Sequence, residues 1–179
     1  KAHETTFDDH AWRMLDLPHD WAIEGDFYAL NPSGANGGAL PGGIGWYRKH
    51  LNLNDNDASS HYVLHFDGAY MNTSVYVNGQ LVGVRPYGFI SFSYDITPYL
   101  KKQGDNVVAV KVDNSKQPNS RWYTGCGIYR HVYLMKSSDI RIEEWGVQAL
   151  TEVKKGKGKV SLNTKIENPS GRSRRVIVH

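Results

Sequence analysis

Cys126 is the single cysteine of a 179-residue chain, so no disulfide framework can form within it. It lies among glycines with no His/Asp pattern to mark a nucleophile, and its expected place is a small, half-buried position. No stretch approaches the roughly 20 apolar residues that span a bilayer, and no charged-then-apolar leader opens the chain, so a membrane partner is not expected. A leader removed upstream of Lys1 is compatible with the abrupt start, and a periplasmic or secreted location is favoured over a cytoplasmic one. The eight histidines are scattered, without the i, i+4 or Cys/His spacing of a zinc site. Neither a metal nor a cofactor is expected. The glycine-rich run 33–45 lacks the Lys-Ser/Thr ending of a phosphate loop and opens no helix, which argues against a nucleotide.

Strong charge of one sign is also missing. The net charge is +3, and it is unevenly spread. Eight Lys and Arg against two Glu fall between Thr151 and His179, leaving the first part slightly acidic. Such a basic end can mean nucleic acid, but Lys154 to Lys159 alternates lysine with glycine and reads better as a solvated hairpin loop. No nucleic-acid partner is expected.

What the chain has is aromatic rings and turn residues. Eleven Tyr, five Trp and five Phe accompany 18 Gly and 7 Pro, a composition that suits short strands joined by tight turns. The first 45 residues show little periodicity, with one helical turn expected after Asp8. Residues 31–45 are expected to be a surface loop. Strands are expected over 47–53, 61–66, 73–77, 80–84, 89–94, 106–113, 128–135, 140–150 and 159–167, with a polar turn over 54–60 and a short helical turn over 95–100. Asn78-Gly79 is the strongest hairpin signal. Val108, Val110 and Val112 share one face of their strand. Many short strands with almost no helix imply a sandwich or barrel, and no fixed period points to a repeat fold. The expectation is all-β: a jelly-roll β-sandwich over 1–137, then an incomplete immunoglobulin-like β-sandwich over 138–179. That second stretch falls short of the roughly 100 residues of such a domain.

Four segments carry a family resemblance: Leu17-Pro18-His19-Asp20-Trp21; Gly45-Trp46-Tyr47-Arg48-Lys49; Phe66 to Met71 with Val75-Tyr76-Val77-Asn78-Gly79 behind it; and Ser120-Arg121-Trp122-Tyr123-Thr124-Gly125-Cys126-Gly127-Ile128-Tyr129-Arg130. In this order and spacing the chain resembles the N-terminal, sugar-binding domain of glycoside hydrolase family 2, the family of β-galactosidases, β-glucuronidases and β-mannosidases, in a version closest to bacterial β-galactosidases. The tail after residue 138 resembles the start of that family's immunoglobulin-like second domain. The resemblance implies a modular retaining glycosidase whose two catalytic glutamates sit in a later (β/α)8 barrel. Retaining chemistry needs two carboxyl groups about 5–5.5 Å apart, and none of Asp20, Glu24, Asp26, Asp67, Asp95, Asp113, Glu143 or Glu144 has a partner that the sequence nominates. No catalytic residue is expected in this chain.

The resemblance also implies that a loop of this domain helps to bind the terminal sugar. The matching segment runs from Asn114 to Tyr123, and the candidate substrate-binding residues are Asn119, Arg121, Trp122 and Tyr123, which offer hydroxyl partners and flat apolar faces. No Asp or Glu lies in the segment. Each residue has a structural alternative. Arg121 and Arg130 could bridge loop carbonyls or pair with a carboxylate such as Asp20. Packing is the favoured role for Trp122 and Tyr123, since rings in a sandwich are usually interior. His19-Asp20-Trp21 could border the substrate cleft or anchor the N-terminal segment to the sandwich by local hydrogen bonds, and the anchor is the favoured reading. The expected partners are a β-glycoside or oligosaccharide, the parent's barrel and, through an open strand edge, another copy of the chain. A stand-alone carbohydrate-binding module and a structural spacer are the rival readings, and the incomplete second domain speaks against both.

Overall fold

Alternation decides the fold. Tyr62, Leu64 and Phe66 are buried on one face of their strand, as are Val75 and Val77, and Val108, Val110 and Val112. Side chains two apart point the same way on a strand, so these rows can meet face to face. In the computed structural model, which describes residues 1–54, 56 and 60–177, they do so as one core, joined by Phe92, Ile96 and Ile128. The Phe66 and Phe92 rings lie stacked inside it, 4.7 Å between centroids.

The strands are β1 (Gly43–Asn54), β2 (His61–Phe66), β3 (Thr73–Val77), β4 (Gln80–Arg85), β5 (Phe92–Asp95), β6 (Gln103–Asn114), β7 (Val132–Ser137), β8 (Arg141–Lys154) and β9 (Lys157–Glu167). One sheet has the order β1-β6-β3-β4, a second β5-β2-β7, and β8 pairs with β9 alone. The first two sheets make the all-β sandwich, with crossovers between non-consecutive strands as a jelly roll requires. Three short 3-10 turns, at Ala22–Glu24, Ala35–Gly37 and Thr97–Tyr99, are the only helical pieces among the described residues. By internal contacts the chain divides into Lys1–Asn56 with Tyr62–Met135, and Asp57–His61 with Lys136–His179. Most of the second unit is the β8–β9 hairpin, turning at Lys155-Gly156 inside the lysine-rich stretch.

Several boundaries differ from expectation. β1 begins at Gly43 inside the glycine-rich run and pairs with β6 from Gly43↔Asn114 onward. Glycine is tolerated there because the Trp21 ring lies over Gly45, where a Cβ would sit 2.7 Å from ring carbon Cε3. β5 begins at Phe92, three residues late, because the chain bends over residues 88–90 before it. The expected helix after Asp8 is only a turn, closed by Trp12 N–H donating to the Asp9 carbonyl at 2.9 Å. The expected polar turn over 54–60 falls mostly on residues outside those described.

Candidate functional site

Where β6 ends, Asn114 organises the chain that follows. It is buried, and its amide nitrogen donates to the Gly125 carbonyl (3.2 Å) and the Cys126 sulfur (2.9 Å). Its Oδ1 accepts from Gln117 Nε2 (2.8 Å) and Asn119 Nδ2 (2.7 Å). A buried amide with all its hydrogen bonds made fixes the segment on both sides of it. The base of the 114–123 loop is therefore stitched to the Gly125-Cys126 backbone.

The four candidate residues take different roles. Asn119 is exposed, yet its amide already serves Asn114, the Met71 sulfur (3.6 Å) and, as acceptor, the Tyr70 hydroxyl (3.5 Å). It belongs to the loop's scaffold. Arg121 is exposed and has no hydrogen-bond or ion-pair partner among the described residues, so neither structural alternative, bridging loop carbonyls or pairing with Asp20, is made there. Trp122 is 60% exposed and Tyr123 39%, against the expectation that both pack inside. The reason is local: Ser120 Oγ donates to the Trp122 carbonyl at 2.5 Å, turning the chain so that 121–123 arch away from the core, while Ile128 fills the interior position.

Tyr123 donates its hydroxyl proton to Asp20 Oδ2. Burial and then the adjacent carboxylate push its phenol far above the usual range, so the hydroxyl stays protonated and its oxygen keeps lone pairs for another donor. Burial also pushes the Cys126 thiol up to about 11, against the opposing hydrogen bond from Asn114, which keeps it a neutral packing group. A shallow recess opens beside the loop, lined by Ser33, Leu40, Pro41, Gln117, Trp122 and Tyr123. The glycine-rich run thus forms one wall of the site and the 114–123 loop the other.

His19-Asp20-Trp21 lies beneath. His19 N–H donates to the Ile128 carbonyl (2.8 Å) and Trp21 N–H to that of Cys126 (3.1 Å). His19 Nδ1 lies 2.9 Å from the Tyr47 hydroxyl. This is the expected anchor. Ser33 is not expected near the site because it lies far along the chain; Gln117 lies within the expected 114–123 segment but outside its four candidates, and the sequence favours Asp20 as part of the anchor over a place at the cleft. Away from the recess, the exposed rings of Tyr87 and Phe89 meet edge to face at 5.9 Å, with Phe89 5.0 Å from Tyr70.

Chemically, the arrangement suits a neutral, polyhydroxylated ring. It offers one flat indole face, a phenol oxygen and a guanidinium at a solvent-open lip. Carboxylates nearby and elsewhere have partners. Asp20 is used by its donors; Asp95 Oδ1 caps Thr97 N–H at 2.9 Å; Asp113 pairs with Lys111 at 2.9 Å; Glu24 with Arg13 at 2.9 Å; Glu143 with Lys165 at 3.1 Å; and Asp67 lies 3.2 Å from His65. Among the described residues no cluster of three or more His, Cys, Asp or Glu could hold a metal ion.

Comparison with known proteins gives concordant matches. The model of the sugar binding domain of the family 2 glycosyl hydrolases matches residues 35–138. The β-galactosidase BoGH2A of Bacteroides ovatus is 54% identical over 179 residues, covering 99% of this chain and 21% of that protein. Among solved structures, a β-glycosidase from Bacteroides vulgatus superposes with a TM-score of 0.89 at 41% identity, over 93% of this chain and 22% of its own. A β-glucuronidase from Bacteroides uniformis does so with a TM-score of 0.78 at 29% identity, over 93% and 20%. The chain spans about a fifth of the length of these relatives.

Proposed function

The chain belongs to glycoside hydrolase family 2, and from that membership we propose that it is the non-catalytic N-terminal portion of a retaining β-glycosidase, supporting the catalytic barrel and bordering the sugar subsite. A β-galactoside is the preferred substrate of the whole protein, since the relative at 54% identity is a β-galactosidase. The observation that carries the reading is Trp122, an indole held open to solvent on a loop whose base is locked by Asn114. Exposing so large an apolar face forgoes burial worth about 1.5–3 kcal/mol, and a pyranose ring stacked on it would recover part of that. Arg121 and the Tyr123 oxygen supply hydroxyl partners beside it, and Asn119 supports them from behind.

Two assays test this. The full-length protein should hydrolyse p-nitrophenyl β-galactoside, with KM raised about tenfold by Trp122→Ala. The 179-residue chain should show no turnover and, by calorimetry with galactose and short oligosaccharides, no binding of its own. Binding without turnover would favour a carbohydrate-binding module; turnover by the clean chain would overturn the proposal. A second copy of the chain is a further proposed partner, pairing through a strand edge of the β8–β9 hairpin. A monomer by size exclusion would remove that partner.

A further inference from the structure

Asp20 and Tyr123 are joined across most of the sandwich sequence, and the join lies at one end of the exposed loop. The loop's first half is fixed by Asn114 and Asn119. Between them and Tyr123, Arg121 has no hydrogen-bond or ion-pair partner among the described residues, and Trp122 accepts a hydrogen bond at its backbone carbonyl from Ser120 Oγ. The second half is fixed by Asp20. Its Oδ1 accepts from Ala22 N–H (2.9 Å) and Cys126 N–H (3.0 Å), and its Oδ2 accepts from the Tyr123 hydroxyl. The residues on either side, His19 and Trp21, bond by their own N–H groups to Ile128 and Cys126. The carboxylate is thus clamped by the backbone on one oxygen and holds the loop with the other.

We infer that Asp20 is a positioning residue for the sugar-facing loop: by receiving the Tyr123 hydroxyl it sets the aim of Tyr123 and of the neighbouring Trp122 ring before any sugar arrives. This rests on the reading that the 121–123 segment meets sugar. The physical gain is preorganisation. A loop already ordered does not draw its ordering entropy from ligand affinity. The direction of the hydrogen bond matters as well. Tyr123 lines the recess, and with its proton committed to Asp20 its oxygen is left to act as an acceptor, the complement of a sugar hydroxyl proton.

Asparagine at position 20 separates this role from simple packing. Its carbonyl oxygen still accepts from Ala22 and Cys126, but its amide nitrogen presents hydrogens to the Tyr123 hydroxyl. The phenol must then accept there, which draws on the acceptor capacity it otherwise keeps for a sugar hydroxyl. In the full-length protein assayed on p-nitrophenyl β-galactoside, Asp20→Asn is expected to raise KM about tenfold with kcat held within about twofold. Tyr123→Phe breaks the same bond from the exposed side, so it provides the test if the first variant does not fold. The double variant should be no worse than Asp20→Asn alone, because both changes remove one interaction. A lowered melting temperature with KM unchanged would overturn the inference and leave Asp20 a structural residue, while a Trp122→Ala effect on KM would keep the sugar-facing reading alive. If Trp122→Ala and Tyr123→Phe are silent and Asp20→Asn alone raises KM, the loop does not face sugar, and both readings fall.

Discussion

Arg48 donates through Nε to Oδ2 of Asp9 at 2.6 Å, with the arginine side chain 1% exposed and the aspartate 17%. The same guanidinium donates through Nη1 to the carbonyls of Ala2 (2.6 Å) and Glu4 (3.1 Å) and through Nη2 to that of Phe7 (3.4 Å). The Phe7 ring lies 5.4 Å from it. One side chain of β1 therefore holds the first nine residues on the outer face of the four-stranded sheet.

A lysine cannot reproduce a planar fork with four acceptors. Arg48→Lys is expected to cost about 1–3 kcal/mol and Arg48→Met about 3–5, since the latter leaves buried acceptors without a donor. Urea unfolding measures both. Limited proteolysis adds the location: cleavage within residues 1–13 should precede loss of the core. A lysine variant as stable as the parent would show that backbone contacts alone hold the segment.

The same carboxylate makes stability depend on pH in two windows of opposite sign. His50 lies between Asp105 (2.9 Å) and Asp9 (3.1 Å), and these acceptors raise its pKa above 6.5. Its contribution is complete below the unfolded value of about 6.5 and is lost as pH rises through the folded one. The hydrogen bond from Arg48, partly opposed by burial, lowers the Asp9 pKa below 3.8. That contribution is present above the unfolded value and is lost as pH falls through the folded one. Melting temperatures across the pH range should decline on both sides, with His50→Gln flattening the alkaline-side decline most and the acid-side one less, since His50 also helps Arg48 to lower the Asp9 pKa. Because His50 is half exposed, its effect should also shrink with added salt.

How far these features were legible depends on the range of the interaction. Rows such as Val108-Val110-Val112 and the Asn78-Gly79 turn are local patterns with a period of two or a fixed turn chemistry, so the sandwich could be read from the sequence. The 114–123 loop was found through resemblance, not through any period. Its geometry was not legible, because it is set by contacts such as Asp20 to Tyr123 and Gln117 to Asn114, in which ordinary loop residues become specific only after folding. The expectation that Trp122 packs inside failed for the same reason. Composition says that rings are usually interior, and only the Ser120 turn says which way this one points.

Asn106 is fully buried and ties the end of the β3–β4 hairpin to the start of β6. Its Oδ1 accepts from Asn78 Nδ2 (2.8 Å) and Lys101 N–H (2.7 Å), and its amide donates to the Lys101 carbonyl (2.9 Å). Asn78 in turn accepts from Val107 N–H at 3.0 Å. Asn106→Ala is expected to cost about 2–4 kcal/mol in urea unfolding, because several buried partners lose their mates at once. Asn78→Ala should cost less, about 1–2 kcal/mol, and the double variant less than the sum. Strict additivity would mean that the two amides act independently.

Gly127 shows why the Thr124-Gly125-Cys126-Gly127-Ile128 segment has the residues it has. Its φ is +122°, a region that side-chain-bearing residues rarely enter. A Cβ there would overlap the Tyr47 hydroxyl and stand 2.8 Å from the His19 carbonyl oxygen. The backbone must pass this close because Gly127 N–H donates to the Tyr70 carbonyl (3.2 Å) and Tyr70 N–H to the Gly127 carbonyl (2.9 Å), while His19 bonds Ile128 next door. Gly127→Ala therefore combines a strained backbone with two collisions, one of them against main chain, and about 3 kcal/mol or more is expected. Tyr47→Phe should relieve only the hydroxyl collision, so adding it to Gly127→Ala should restore part of the loss and never all of it. Full rescue would place the whole cost on Tyr47. No rescue would place it on the backbone, where φ and the His19 carbonyl leave no room for any side chain.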